Sequence, residues 1–314
     1  MTAATEHRLD GLEPDNLLAF LALLGLMRAL EAARPDWRPR VGWTVDDPPV
    51  RPFLKISHPA TRVEIAAFAA QGTRLQSGAY SFDRDRFNFS REEARSMMLE
   101  AAHSLERLRA DLLAALMSDS VPYDEKTPDG RVAATPLKLL DVAQTAFLKT
   151  LSSLANRFNA IGETAAADAY RPLERAVFEN WTRTDREGGL RFDHADDRRH
   201  AYRWKEPTAD PTVCEAGANI LAVLGLVALT AAPALAGGHI QLRQVGVRRP
   251  PGSAVSLRWP IWRHAMSLAA VRAVLDHPAL QDPAAQAELG IVELRETRRV
   301  QAGKYMNFTR AELI

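Results

Sequence analysis

The sequence predicts an α+β protein that is predominantly helical. It has an N-terminal helix with a small sheet, a central helical bundle, and a C-terminal part of mixed strands and helices. Three observations predict this class. Two apolar runs, "NLLAFLALLGLMRALEAA" and "GANILAVLGLVAL", have the hydrophobicity of helices buried on nearly every side. Between them lie long stretches whose apolar residues recur three or four apart. Short runs rich in Val, Ile and Trp, bounded by Pro, Gly and Asp, read as strands toward both ends. The chain divides at 1–88, 89–181 and 182–314, three parts that are also compatible with one continuous domain.

The first helix begins after Pro14, Asp15 and Asn16, residues that suit a helix start, and must stop before Pro35. "VGWTV" and "PFLKIS" read as two strands of a small sheet beside it, joined by the "DDPP" loop. "SREEARSMMLEAAHSLERLRADLLAALMSDS" predicts one long helix over 90–120, with Ser90 as its cap and Glu92 and Glu93 in its first turn. A second long helix is expected over 135–161, with Thr135 as cap and Pro136 at its first position. "TAAADAYRPLERAVFENW" reads as a shorter one. After a charged stretch and the second apolar helix, from about 215 to 229, "HIQLRQVGV", "AVSLRWPIW" and "GIVELRETRRV" read as strands. A short helix capped by Ser267 separates the last two.

The two apolar helices echo each other in an Asn-apolar-Leu-Ala start and a central Leu-Gly-Leu. A glycine inside a helix costs about 1 kcal/mol relative to alanine. Gly25 and Gly225 are therefore expected to mark a close contact, with the two helices packed on each other.

Composition excludes several classes. The single cysteine, Cys214, allows no internal disulfide and no thiolate metal cluster, which fits a reducing, cytoplasmic setting. The N-terminus lacks the pattern of a secretory signal. Both apolar runs are expected to be buried rather than membrane-inserted: Arg28 and Glu31 break the first, and Pro233 interrupts the Ala- and Gly-rich second. Net charge is +1, yet from Ile240 onward eleven Lys/Arg face six Asp/Glu, a local balance of +5 that leaves −4 elsewhere. That asymmetry fits either a polyanion-facing C-terminal part or ordinary surface variation.

No phosphate-cradling Gly-rich loop and no nucleophile elbow occurs. The densest chemistry is "RFDHADDRRHAYRWKEP", over 191–207. His194, Asp196, Asp197 and His200 are a possible metal-ligand set, and a metal-dependent nuclease or phosphohydrolase centred on 193–200 is one alternative function. Arg198 and Arg199 stand among those ligands and oppose a cation. No resident cofactor or metal is expected. Arg198, Arg199 and Arg203, interleaved with Tyr202 and Trp204, also suit phosphate and bases. A third reading is an ion-paired knot using Asp193, Asp196 and Asp197. Downstream, Arg243, Arg248 and Arg249, then Arg298, Arg299 and Lys304, have fewer acidic neighbours and are the first-choice phosphate contacts.

Three segments in order carry a resemblance: "LRFDHADDRRHAYRWKEPTADP", "EAGANILAVLGLVAL" and "LRWPIWRHAMSLAAVRAVLDHPAL". Together with the opening "LDGLEPDNLLAFLALLGLMRALE", they resemble the large-subunit-like proteins of subtype I-U/I-G CRISPR loci. The family pattern has a Trp-Asp-Pro-x-Glu-Asp-Arg-Arg-Tyr-Ala-like segment, then a Gly-Ala-Asn-x-Leu-Ala helix, then a Trp-Pro-Leu-Trp strand end. Asp193, Asp197, Arg198, Arg199 and Tyr202 fall on the first segment. Gly217, Ala218 and Asn219 fall on the second, and Trp259, Pro260 and Trp262 on the third. His194, Asp196 and His200 depart from the pattern, which has Pro, Glu and Tyr there. The resemblance implies a noncatalytic subunit of a Cascade-type, RNA-guided surveillance complex for antiviral defence. Its partners would be CRISPR RNA, target DNA and the neighbouring effector subunits, with no membrane contact. A pure scaffold without nucleic-acid contact is the remaining alternative.

Overall fold

Two helices without a polar face lie at the centre of the structure, a computed structural model that describes residues 2–104, 107–122, 130–139, 146–160, 167–186, 188–196, 213–249, 254–302 and 305–314. They are α1 (Leu17–Ala33) and α7 (Ala216–Leu226). The Asn16 side chain caps α1 by accepting from the Leu18 N–H at 2.9 Å. A Cβ placed on Gly25 would sit 1.8 Å from the Leu221 carbonyl oxygen, and one on Gly225 would sit 2.0 Å from that of Leu21. The two backbones meet where only hydrogen fits, at the glycine pair expected from the sequence.

Other helices gather around this pair. A Thr61–Glu64 capping box starts α2 (Arg62–Gln76), which crosses α1 where Gly72 lies against the Ala29 carbonyl. The sheet on the N-terminal side has three antiparallel strands, β1 (Ala4–Arg8), β2 (Arg40–Trp43) and β3 (Pro52–Ala60), in the order β1-β3-β2. The two expected strands are present. The third comes from the N-terminal residues, which carry no alternating apolar signal.

The central helices are shorter than expected. Ser90 does cap α3 (Arg91–His103), with Glu93 completing a capping box, but a second helix, α4 (Arg107–Leu116), follows and the chain then becomes extended. β4 (Met117–Pro122) pairs with β5 (Val132–Ala134). Ser118, Asp119 and Ser120 compete for backbone hydrogen bonds and Pro122 cannot continue a helix, so pairing with a distant strand wins. Thr135 is not a helix cap: its hydroxyl donates to the Ala115 carbonyl at 2.7 Å, tying the end of β5 to α4. Of the long helix expected over 135–161, the described residues form only α5 (Phe147–Ala155). A 3-10 turn then leads into α6 (Arg171–Phe178), which packs on α7 through Gly217.

The C-terminal part holds the expected strands and, among the described residues, three unexpected ones, at 231–236, 305–308 and 312–313. After α7 the Ala-rich run turns into β6 (Ala231–Ala236), which forms a hairpin with β7 (His239–Gln244). Gly237 and Gly238 both have positive φ, +60° and +82°, the two-residue turn that fits the twist of a hairpin. Pro233 is accommodated because β6 has no second neighbour among the described residues. The main sheet contains β8 (Val247–Arg248), β9 (Ser256–Trp262), β10 (Ile291–Ala302) and β11 (Tyr305–Phe308) in the order β11-β10-β9-β8, and β12 (Glu312–Leu313) also pairs with β10. Between β9 and β10 come α8 (Leu268–Leu275), capped by Ser267, and α9 (Pro283–Glu288). The fold is α+β with a helical bias.

Tryptophans join this sheet to the N-terminal part. Trp259 stacks on Phe20 with centroids 5.2 Å apart, and its indole N–H donates to the Pro14 carbonyl at 3.1 Å. Trp262 meets Trp43 edge-on and donates to the Val41 carbonyl at 2.8 Å. One buried cluster therefore runs from Leu9 through Phe89 and Phe147 to Phe308. No helix among the described residues is long and apolar enough to cross a membrane.

Candidate functional site

The segment carrying the first family-like motif is anchored at Asp193. This carboxylate is almost wholly buried, at 1% exposure. Oδ1 accepts from Asn16 Nδ2 at 3.0 Å and from the Ala195 N–H at 3.0 Å, while Oδ2 accepts from Arg183 Nε at 2.6 Å. Asn16 thus caps α1 with its oxygen and holds Asp193 with its amide. Burial works against the charge of Arg183, yet hydrogen bonding and attraction to Asp193 keep its pKa above the ordinary value. Arg183 has a left-handed backbone, φ 53°, and its guanidinium lies over the Trp181 ring.

A second ion-paired group starts α7. Arg175 donates to Glu215 Oε1 at 3.0 Å and to Asp185, and Asp185 in turn accepts from the Ala216 N–H at 2.9 Å. Asn219 accepts from the Leu190 N–H at 2.8 Å and donates to the Glu215 carbonyl at 3.0 Å. In the second motif, therefore, Gly217 admits α6, Ala218 fills core, and Asn219 fastens the chain at Leu190. Trp259 and Trp262 of the third motif fasten the C-terminal sheet as described. Arg175, Arg183 and Asn16 were not singled out as partners from the sequence. Their only signal was the excess of carboxylates nearby.

Asp197, Arg198, Arg199, His200, Tyr202, Arg203 and Lys304 lie outside the described residues. Among the described residues no three His, Cys, Asp or Glu side chains are placed to hold a metal ion. His194 Nδ1 stands 3.8 Å from Asp193 Oδ1 and makes no hydrogen bond. A cleft of about 300 Å³ lies beside the Asp193 network, between Gly11, Glu13, Arg51, Asn180, Trp181 and Arg183. Its cations already have partners: Arg51 faces Glu13 at 3.7 Å and Arg183 holds Asp193.

The C-terminal arginines converge at one end of the main sheet. Strand register places Arg248 opposite Ser256 and Ser256 opposite Arg298, so the three form a row across β8, β9 and β10. Arg249 follows Arg248, and the Arg299 N–H donates to the Val255 carbonyl at 2.7 Å. Four arginines from two segments some fifty residues apart in sequence, 248–249 and 298–299, thus share one sheet end. Arg258 is two residues along β9, on the same face as Ser256. It pairs with Glu296 across the strands at 3.2 Å. Arg243 reaches Asp276 at 3.1 Å. Arg298 stands 3.9 Å from Glu312, an exposed pair that solvent screens.

The remaining charges are unbalanced. Among the described residues Arg248, Arg249 and Arg299 have no ion-paired carboxylate. Burial lowers the pKa of Arg248, and the Arg258 and Arg243 cations lower it further. Arg299 is lowered by burial and then by Arg249. Three polar atoms in this patch, Arg248 Nε, Arg258 Nε and Ser256 Oγ, are buried without a hydrogen-bond partner. Each such group costs about 1–3 kcal/mol in the free protein. The patch is cationic, donor-rich and short of acceptors, which is the chemistry of an anion-binding surface. Sequence reading singled out its arginines except Arg258, and it missed Ser256. The alternation in "VSLRW" placed both on one face of β9.

Compared with protein-family models, curated proteins and solved structures, the chain matches none of them.

Proposed function

We propose that the chain is a noncatalytic subunit of an RNA-guided, CRISPR-type surveillance complex, which binds nucleic acid through the arginine-rich end of its C-terminal sheet. The observation that carries this reading is that Arg248, Arg249, Arg298 and Arg299 share one end of the sheet, Arg248 and Arg298 flanking Ser256 and Arg249 and Arg299 following them along the chain, with too few carboxylates to neutralise them. Guanidinium groups are donors only and suit phosphate oxygens. The three-segment resemblance supplies the biological setting. Arg243 extends the same surface. Lys304 and the group Arg198, Arg199 and Arg203 are proposed as further phosphate contacts on the sequence pattern alone.

Contact with neighbouring subunits is the second part of the proposal. The β6–β7 hairpin presents Leu235 and Ile240, which are directly paired and 77% and 51% exposed. An apolar hairpin end of this kind favours a protein contact over bare solvent.

Reversing charge at Arg248, Arg249, Arg298 and Arg299 tests the nucleic-acid part. The reconstituted complex should lose affinity for DNA or RNA in mobility-shift assays at moderate salt, with a shallower dependence of binding on salt. Unchanged assembly and affinity would reject the assignment. Purifying the tagged chain from its host and identifying the accompanying RNA and proteins tests the setting.

A further inference from the structure

We infer that Arg248, Ser256, Arg258 and Arg298 form a seat for a single phosphodiester group of a nucleic-acid backbone. The inference rests on the nucleic-acid reading above and sharpens it to one phosphate and one hydroxyl.

Ser256 decides the matter. Most other buried hydroxyls with a described partner find carbonyls, as Thr73 donates to Ala69, Thr135 to Ala115 and Ser152 to Tyr80; the Tyr80 hydroxyl, enclosed in the apolar core, is the other one without a partner among the described residues. Ser256 is 2% exposed, and its Oγ has no partner. It lies in the middle of the row, with Arg248 on one side and Arg298 on the other. Its neighbours therefore offer N–H donors, and those carboxylates that come near are engaged, Glu296 by Arg258 and Glu312 by Arg298. The hydroxyl and the two orphaned guanidinium nitrogens are buried in the free protein, so an acceptor from outside the chain reaches them when the arginine side chains around them shift, and it then satisfies all three together.

Charge selects the kind of acceptor. Arg243, Arg248, Arg258 and Arg298 stand against Asp276, Glu296 and Glu312, leaving one surplus positive charge, on Arg248. A phosphodiester carries one negative charge and two free oxygens, each able to accept several hydrogen bonds. A free phosphate dianion would leave the patch negative. Position agrees: β8 is the edge strand of its sheet, so a polymer can run past the seat instead of ending in it. A contact to a backbone phosphate fixes register without reading sequence.

The test uses the full chain and a labelled 20-nucleotide single strand of mixed sequence, as RNA and as DNA, with inorganic phosphate as a separate arm. Ser256→Ala should weaken oligonucleotide binding roughly tenfold while leaving the melting temperature unchanged or higher, because it removes an unsatisfied buried hydroxyl. A merely structural serine would not separate the two readouts in that direction. Arg248→Ala should weaken binding and reduce the salt slope by about 0.7, the value for one contact to a single strand. Arg248→Lys should keep the slope and lose affinity. If the oligonucleotide binds and none of these variants changes affinity or slope, the seat is wrong while the nucleic-acid reading stands. If inorganic phosphate raises the melting temperature of wild type but not of Arg248→Ala, and no oligonucleotide binds, the seat takes free phosphate and the backbone assignment falls. If neither ligand binds, both readings fall.

Discussion

Gly25 and Gly225 face each other across the crossing of α1 and α7, each occupying the space that a side chain on the other helix would need. The contact is reciprocal, since each missing Cβ leaves room for a carbonyl of the opposite helix. Gly25→Ala or Gly225→Ala should destabilise the protein by about 1–3 kcal/mol through overpacking. Once either methyl has forced the helices apart, the second costs less, so the double variant should lose less than the two single losses combined. Chemical denaturation of the four proteins measures this. Additive losses would mean that the glycines act separately.

The Arg183–Asp193 pair lies between the first motif and the start of α1. Replacing Arg183 with Met leaves a buried carboxylate with Asn16 and one N–H for support. Removing one partner of a buried pair costs about 3–5 kcal/mol. Adding Asp193→Asn to Arg183→Met should recover much of that loss, since it removes the stranded charge. Recovery in thermal melts supports the pairing. Equal destabilisation of the single and double variants would show that packing of the arginine stem carries the effect.

Glu93 gives the start of α3 a pH dependence. Its carboxylate accepts from Arg84 at 2.7 Å and from the Ser90 N–H at 2.7 Å, and these bonds hold its pKa down to about 2 from the ordinary 4.5. A depressed folded-state pKa means that the stabilisation is present above about 4.5 and is lost as pH falls toward 2. Between those values wild type should lose more stability than Glu93→Gln, and the two curves should run parallel at neutral pH. The group is half-exposed, so the difference is a fraction of the ideal linkage and shrinks with added salt.

What the sequence revealed depended on the range of the interaction. Helices α1 and α7 were visible because their apolar character fills the whole window, and caps at Ser90 and Ser267 work within one turn. Leu116 to Pro122 misled because its extended form is decided by pairing with Val132–Ala134 and by Thr135 reaching back to Ala115. Charge density around Arg248 and Arg298 was plain in the sequence. Their meeting at Ser256 depends on a register set by the loops and helices between β9 and β10, which no local pattern records. The same holds for Asp193, whose partners lie ten residues upstream at Arg183 and near the N-terminus at Asn16.

Asn219 separates a motif that builds the fold from one that binds a ligand. Its side chain takes the Leu190 N–H and gives a hydrogen bond to the Glu215 carbonyl, wholly inside the core. Asn219→Ala leaves the Leu190 N–H buried without an acceptor, at a cost of about 1–3 kcal/mol. Asn219→Asp keeps the acceptor but puts a carboxylate where the Glu215 carbonyl expects a donor, so it should destabilise at least as much. Both variants should melt earlier. Nucleic-acid affinity, measured well below the melting temperature, should stay at the wild-type value, because neither variant touches the row from Arg248 to Arg298. A large affinity loss in folded Asn219→Ala would instead couple the start of α7 to the binding surface and make the motif part of the interface.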